Sequence, residues 1–189
     1  FGEIMEGQGL DHAKRVYGEL MEAFIAVKDT VEQEKIACHY RQQGRLLLAT
    51  STAMYDAMAR EFALREKHLG EPFATVDRGG QRVEIASDHY FGGVKIEDHA
   101  GLHPGLYHDG LLDAARAAGV AICAYSPVAG FRRAEDGFTL FVRGQRIAAR
   151  DLIVATNGYS GRAWSWLQRR IMPFDAYQTV SAPLGEERV

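Results

Sequence analysis

Cysteine is scarce in this chain of 189 residues: there are two, Cys38 and Cys123. Both fall in stretches that read as strands, so buried free thiols of a cytoplasmic protein are expected in preference to a disulfide. Long apolar runs are missing as well. None approaches the ~20 residues that a membrane helix needs. Positive charge is not in excess: the formal net charge is −3 and no basic stripe interrupts the sequence, which argues against a nucleic-acid partner. No Gly-x-Ser-x-Gly elbow and no recognisable Cys/His pairing announces a nucleophile. Four histidines, His89, His99, His103 and His108, crowd together. No pair has H-x-x-x-H spacing on a helix and no cysteine lies near, so no metal site is expected. A dinucleotide fingerprint is also missing. Gly7-Gln8-Gly9 begins as G-x-G, but no strand precedes it and His12 stands where the third glycine belongs. No signal-peptide pattern is present, and the chain opens with Phe1 rather than Met.

What is there is ordinary globular material: 47% apolar and 25% charged residues, long enough for one sizeable domain or two small ones. Leu10, Ala13, Tyr17, Leu20, Phe24, Val27 and Val31 recur at three- and four-residue spacing, which predicts an amphipathic helix over 10–34 with Asp11 as its N-cap. Two short strands are expected over 36–40 and 45–49, around Gln43-Gly44. Arg41 and Arg45 flank that turn. Either guanidinium could take a substrate carboxylate through its bidentate fork. A surface arginine at a hairpin is the plainer reading and the one favoured. Ser51 or Thr52 caps a second helix over 53–69, and Gly70 stops it. Residues 77–86 suggest a short helix or turn. Residues 90–96 read as a strand with a kink at Gly92-Gly93.

The second half runs helix, strand, meander, strand. Residues 106–118 form a helix between Pro104 and the C′ glycine Gly119. Residues 120–125 read as a strand, broken by Pro127 and resumed over 128–131. A hairpin over 138–143 and 145–148 turns at Gly144. Leu152-Ile153-Val154-Ala155 has the continuous apolar pattern of a strand buried on both faces. It stops at Thr156-Asn157-Gly158, a turn rich in backbone N–H groups and poor in side-chain bulk. In open α/β sheets, ligands sit at such strand ends.

The segments Pro104–Val120, Ser126-Pro127-Val128 and Ala155-Thr156-Asn157-Gly158 together resemble an FAD-dependent oxidoreductase of the D-amino-acid-oxidase superfamily, which includes glycine and sarcosine oxidases. The resemblance is nearest to the branch of gamma-glutamylputrescine oxidoreductase, is strong over 102–184, and extends to the tail from Arg170 to Leu184. It implies an α/β (α+β) fold: part of an FAD-binding three-layer ββα domain interleaved with an antiparallel-sheet substrate domain. The implied boundaries are a helical lead-in over 1–35, a partial substrate domain over 36–101 and 173–189, and a partial FAD domain over 102–172. It implies FAD as cofactor, with Val128 reading the adenine through its backbone and Ala155, Thr156, Asn157 and Gly158 approaching the ribose and pyrophosphate. The implied substrate is a small amine or amino acid, whose C–N bond is oxidised by hydride transfer to the flavin before the imine is hydrolysed. No catalytic residue is assigned. The superfamily's G-x-G-x-x-G unit is absent, so the chain is expected to be an internal fragment that is inactive alone and does not retain FAD tightly. A non-catalytic binding module, and a flavoenzyme of other chemistry such as an FAD hydroxylase, stand as alternatives.

Overall fold

Apolar residues at helical spacing wind Leu10–Gln33 into a long helix, α2, which turns Ala13 and Val31 fully inward. A short helix, α1 (Gly2–Gln8), precedes it. Gly9 joins the two at φ 88°, a backbone that favours glycine, and so Gly9 is the N-cap of α2. Asp11, expected to cap, instead lies in the first turn, where a negative charge suits the helix dipole. The structure, a computed structural model, describes residues 1–161 and 164–172. They divide into two compact units between Ala121 and Ile122.

In the first unit, the elements after α2 are β1 (Arg41–Gln42), β2 (Arg45–Leu48), α3 (Thr52–Leu69), β3 (Ala74–Val76), α4 (Gln81–Glu84), β4 (Gly93–Ile96), β5 (Ala100–Gly101) and α5 (Pro104–Ala117). Strands β2, β4 and β3 form an antiparallel sheet with β4 in the middle, and β1 pairs with β5. Of the two strands expected around Gln43-Gly44, the one over 45–49 exists as β2, and the short β1 lies just after the range of the other; they pair with β4 and β5, not with each other. The N–H groups of Gln43 and Gly44 both donate to the His99 carbonyl, at 3.1 and 3.0 Å, which draws the turn onto the β4–β5 connection. Residues 36–40 are irregular where a strand was expected. Lys35 (φ 54°) and His39 (φ 55°) adopt left-handed backbone, which an extended strand cannot contain.

Caps and cores fix these elements. Ser51 accepts the Met54 N–H at 3.2 Å and starts α3, while Gly70, left-handed at φ 72°, ends it. His103 caps α5: its Nδ1 accepts the Leu106 N–H at 3.2 Å, and Pro104 follows in the first turn. Phe62 of α3 packs on Val94 and Ile96 of β4, with Leu47, Met58 and Phe73 around them. A second core joins Val31, Ile36 and Cys38, flanked by Tyr40, Leu102 and Tyr107.

Helices α1 and α3 meet at Glu61 of α3. The Gly2 N–H donates to its Oε2 at 2.9 Å, and Arg65 Nε, one turn further along α3, donates to Oε1 at 2.9 Å.

In the second unit, β6 (Val128–Ala134), β7 (Gly137–Val142) and β8 (Gln145–Ala149) form the expected antiparallel meander, with β7 central. A 3-10 turn (Asn157–Tyr159) and a short helix, α6 (Ser165–Gln168), follow. Phe131 stacks on Trp164, ring centroids 4.8 Å apart. Two expected strands are not formed. Residues 120–125 are irregular, with Tyr125 left-handed at φ 54°. Residues 152–155 are irregular too, and Ile153, expected to be buried on both faces, is 89% exposed. Neither segment has a strand neighbour among the described residues, and without one a run of apolar residues has no ladder to complete. Cys123, expected buried, is exposed in this irregular backbone, whereas Cys38 is buried in a loop; both are free thiols. The segment 173–189, expected to return to the substrate domain, lies outside the described residues. Among those described, no helix is long and apolar enough to cross a membrane.

Candidate functional site

Every residue expected to face the cofactor falls in the second unit. Val128 opens β6, an edge strand of the meander, opposite Val142. The register shifts between Val128 and Gly130, a bulge that leaves Ala129 without a cross-strand partner. On an edge strand, alternate residues turn both N–H and C=O away from the neighbouring strand. A ligand base can be read there through main chain alone. Ala155, Thr156, Asn157 and Gly158 lead into the 3-10 turn. Asn157, and not Gly158, carries the left-handed backbone of the turn, at φ 48°. The Tyr159 N–H closes onto the Thr156 carbonyl at 3.0 Å. Thr156 Oγ1 and the buried Ser160 hydroxyl share a hydrogen bond of 2.8 Å, and the same hydroxyl donates to the Asn157 carbonyl at 3.1 Å. These bonds brace the turn from within. Asn157 and Gly158 remain exposed, and the leading N–H groups of a helical turn have no partner inside it. An edge strand with a bulge, and a braced turn of small exposed residues, suit an elongated dinucleotide that is held by main chain.

The first unit has a different feature. Val94 and Ile96 face α3, so Lys95 between them faces the opposite side of the sheet, directly across from Leu46. On that side lies a cavity of about 420 Å³, lined by Gln43, Gly44, Arg45, Leu46, Glu84, Lys95 and Glu97. Lys95 Nζ reaches both carboxylate oxygens of Glu84 on α4, at 2.9 and 3.1 Å. The Glu84 hydrogen bond and charge hold the Lys95 ammonium above its ordinary value. Arg45 is exposed, in line with the plainer reading of a surface arginine, and also borders this cavity, while Arg41, exposed as well, sits on β1 opposite Gly101. Glu84, Lys95 and Glu97 carried no signal in the sequence, because only the β2–β4 register and the placement of α4 bring them together around Leu46. The histidines take other roles. His103 is a helix cap, and its ring lies 6.4 Å from that of His39. Among the described residues, no three His, Cys, Asp or Glu side chains gather as a metal set would.

The family model for FAD dependent oxidoreductases (DAO) matches residues 2–189. The chain belongs to this family. FAD is accordingly the cofactor of the family to which it belongs. Among curated proteins, the chain is 26% identical to gamma-glutamylputrescine oxidoreductase of Escherichia coli (strain K12) over 187 residues, which is 97% of this chain and 43% of that protein. Among solved structures, glycine oxidase from Geobacillus kaustophilus superposes with a TM-score of 0.65 at 21% identity, covering 79% of this chain and 40% of the other. NikD, described as an unusual amino acid oxidase, superposes at 0.59 with 14% identity over 74% of this chain and 37% of its own. These structural likenesses establish the fold: helices and antiparallel sheets arranged as in the glycine-oxidase type of FAD-dependent oxidase. The chain spans less than half the length of these DAO relatives.

Proposed function

We propose that the intact protein is an FAD-dependent oxidoreductase that oxidises the C–N bond of an amine or amino acid. The match of the DAO model across residues 2–189 carries this reading. FAD, when bound, supplies the acceptor for a hydride from the carbon next to nitrogen, after which water hydrolyses the substrate's imine. The chain's own part is to bind, orient and keep the site dry, which needs no acid–base cluster. Val128 serves the adenine through its main chain, and Ala155, Thr156, Asn157 and Gly158 give the ribose and pyrophosphate a close, unbulky approach. A cytoplasmic setting goes with this reading; the two free thiols speak for it.

Val128→Pro probes the adenine contact. Proline is tolerated at the first residue of an edge strand, so the meander should survive while the Val128 N–H disappears. One lost hydrogen bond of about 1 kcal/mol corresponds to FAD binding weakened about fivefold in the intact protein. Unchanged FAD affinity by titration of the apoprotein would remove Val128 from the site. The function as a whole is tested by purifying the full-length protein. It should carry flavin and consume oxygen or another acceptor with amines or amino acids, without NADPH. Absence of flavin would point to a binding module, and turnover only with NADPH would point to a hydroxylase.

A further inference from the structure

Residues 77–92 leave the sheet between two paired positions. Val76 of β3 and Gly93 of β4 are direct antiparallel partners, so both ends of this segment meet at one neck. Phe91 and Gly92 are pinned there. The Phe91 N–H donates to the Ala49 carbonyl and the Ala49 N–H donates to the Gly92 carbonyl, both at 2.9 Å. Gly92 is left-handed at φ 98°, and a Cβ on it would stand 2.5 Å from the Val76 carbonyl oxygen, so only glycine closes the neck. Beyond the neck the segment is held by its own side chains. The Gly80 N–H donates to Asp77 Oδ1 at 2.6 Å, Arg82 Nε donates to Asp88 Oδ1 at 2.8 Å, and the Arg78 guanidinium lies 4.4 Å from the centre of the Phe91 ring. Gln81, 1% exposed, is the hub: its Nε2 donates to the Ser87 carbonyl at 2.9 Å, and its Oε1 accepts the Gly92 N–H of the neck at 3.0 Å. A surface loop with joined ends and its own internal packing is an Ω-loop, a self-contained unit of the kind that often carries function.

One contact ties the far end of this loop to the sheet. Among the described residues, Lys95–Glu84 is the one side-chain hydrogen bond or ion pair between the loop and another element. Gln81 opens α4 and Glu84 ends it, while Lys95 stands beside Leu46 on the sheet face that floors the cavity. Val83, on the same short helix, is 88% exposed and gives no apolar anchor. We propose that residues 77–92 are a strap that pivots at Gln81 and is latched across the cavity by Lys95 and Glu84. With the latch made, α4 covers the cavity over Leu46. With it broken, the cavity opens to solvent while the neck and the sheet stay as they are. Exposed ion pairs hold a geometry only weakly, and both partners here are partly exposed, so salt works the latch. The strap is a device of the fold and does not need the oxidoreductase reading; its test reads exchange and labelling, not turnover.

The test is amide hydrogen exchange of the intact protein, read peptide by peptide, in low salt and in about 1 M salt, where the screening length falls to about 3 Å. Exchange over 82–90 should rise with salt, while α3 and β4 stay as protected as before. Lys95→Met should raise it by about threefold to fivefold at low salt, the range of an exposed ion pair, and should abolish the salt effect. Lys95→Arg, which keeps the charge, should behave as wild type. Access to the cavity is read separately. Leu46→Cys, in a Cys123→Ser background that leaves only the buried Cys38, should react with iodoacetamide faster by a similar factor once Lys95→Met is added. Exchange over 82–90 that ignores both salt and Lys95→Met, or that rises equally in α3 and β4, would overturn the strap. Equal labelling rates with and without the latch would overturn its cover of the cavity.

Discussion

Replacing Gly93 by alanine is expected to destabilise the protein by about 3 kcal/mol or more. Gly93 begins β4, the central strand of the β2-β4-β3 sheet, in register with Leu48. A Cβ built on it would stand 2.1 Å from the Leu47 carbonyl oxygen and 3.1 Å from the Leu47 carbonyl carbon. Both are main-chain atoms of the neighbouring strand, so no rotamer change can relieve the contact. β2 and β4 must part, and with them Val94 and Ile96 leave Phe62. Overpacking commonly costs about 1–3 kcal/mol, and a clash against backbone belongs at or beyond the upper end. A domain has only about 5–15 kcal/mol to lose. Gly18 in α2 is the control, since a Cβ there meets nothing within 4 Å. Gly18→Ala should stabilise by about 0.5–1 kcal/mol, the ordinary gain for alanine in a helix interior. Urea midpoints of the two variants should therefore move in opposite directions. A Gly93→Ala midpoint equal to wild type would mean that the β2–β4 pairing is wrong, and with it the cavity that this register assembles.

Replacing Gly158 by valine should cost little in the apoprotein and much in the FAD complex. The strained residue of its turn is Asn157, while Gly158 is exposed within the 3-10 turn. Without cofactor, the substitution should change stability by no more than about 1 kcal/mol. With cofactor, the branched side chain would occupy the approach proposed for the ribose and pyrophosphate. A ligand that binds only the folded state adds about 2.7 kcal/mol at a hundred times its dissociation constant. That increment should be present in wild type and missing in Gly158→Val, as read from melts of the intact protein with and without FAD. Equal losses in both forms, with the increment intact, would assign Gly158 to the fold alone.

The helices were legible because their signals are local. The three- and four-residue spacing in α2, Ser51 and Gly70 around α3, and Pro104 before α5 each act within a few residues of the element they define. The β6–β7–β8 meander was legible for the same reason, since Gly144 and the flanking apolar runs specify a hairpin by themselves. Of the strands that depend on distant partners, β2 and β4 were legible, within 45–49 and 90–96, but three other expected strands do not form. Residues 36–40, 120–125 and 152–155 have the apolar content of strands, but what decides a strand is a neighbour to pair with. His39 and Tyr125, both left-handed, carry no composition that marks them. The turn at Thr156-Asn157-Gly158 was visible as a turn, although its left-handed residue is the asparagine. The cavity charges were invisible. Glu84, Lys95 and Glu97 are ordinary surface residues until antiparallel pairing sets Leu46 against Lys95 and α4 brings Glu84 over it.

Anaerobic mixing of the FAD-loaded full-length protein with a panel of amines and amino acids tests the central claim most directly. Substrate oxidation without oxygen must leave its two electrons on the flavin, so the oxidised flavin absorbance should bleach in a single turnover. A carbonyl product and a released amine or ammonia should appear in equal amount, with no nicotinamide present. A flavin that stays oxidised with every amine and amino acid tried, and bleaches only when a reduced nicotinamide is added, would contradict it.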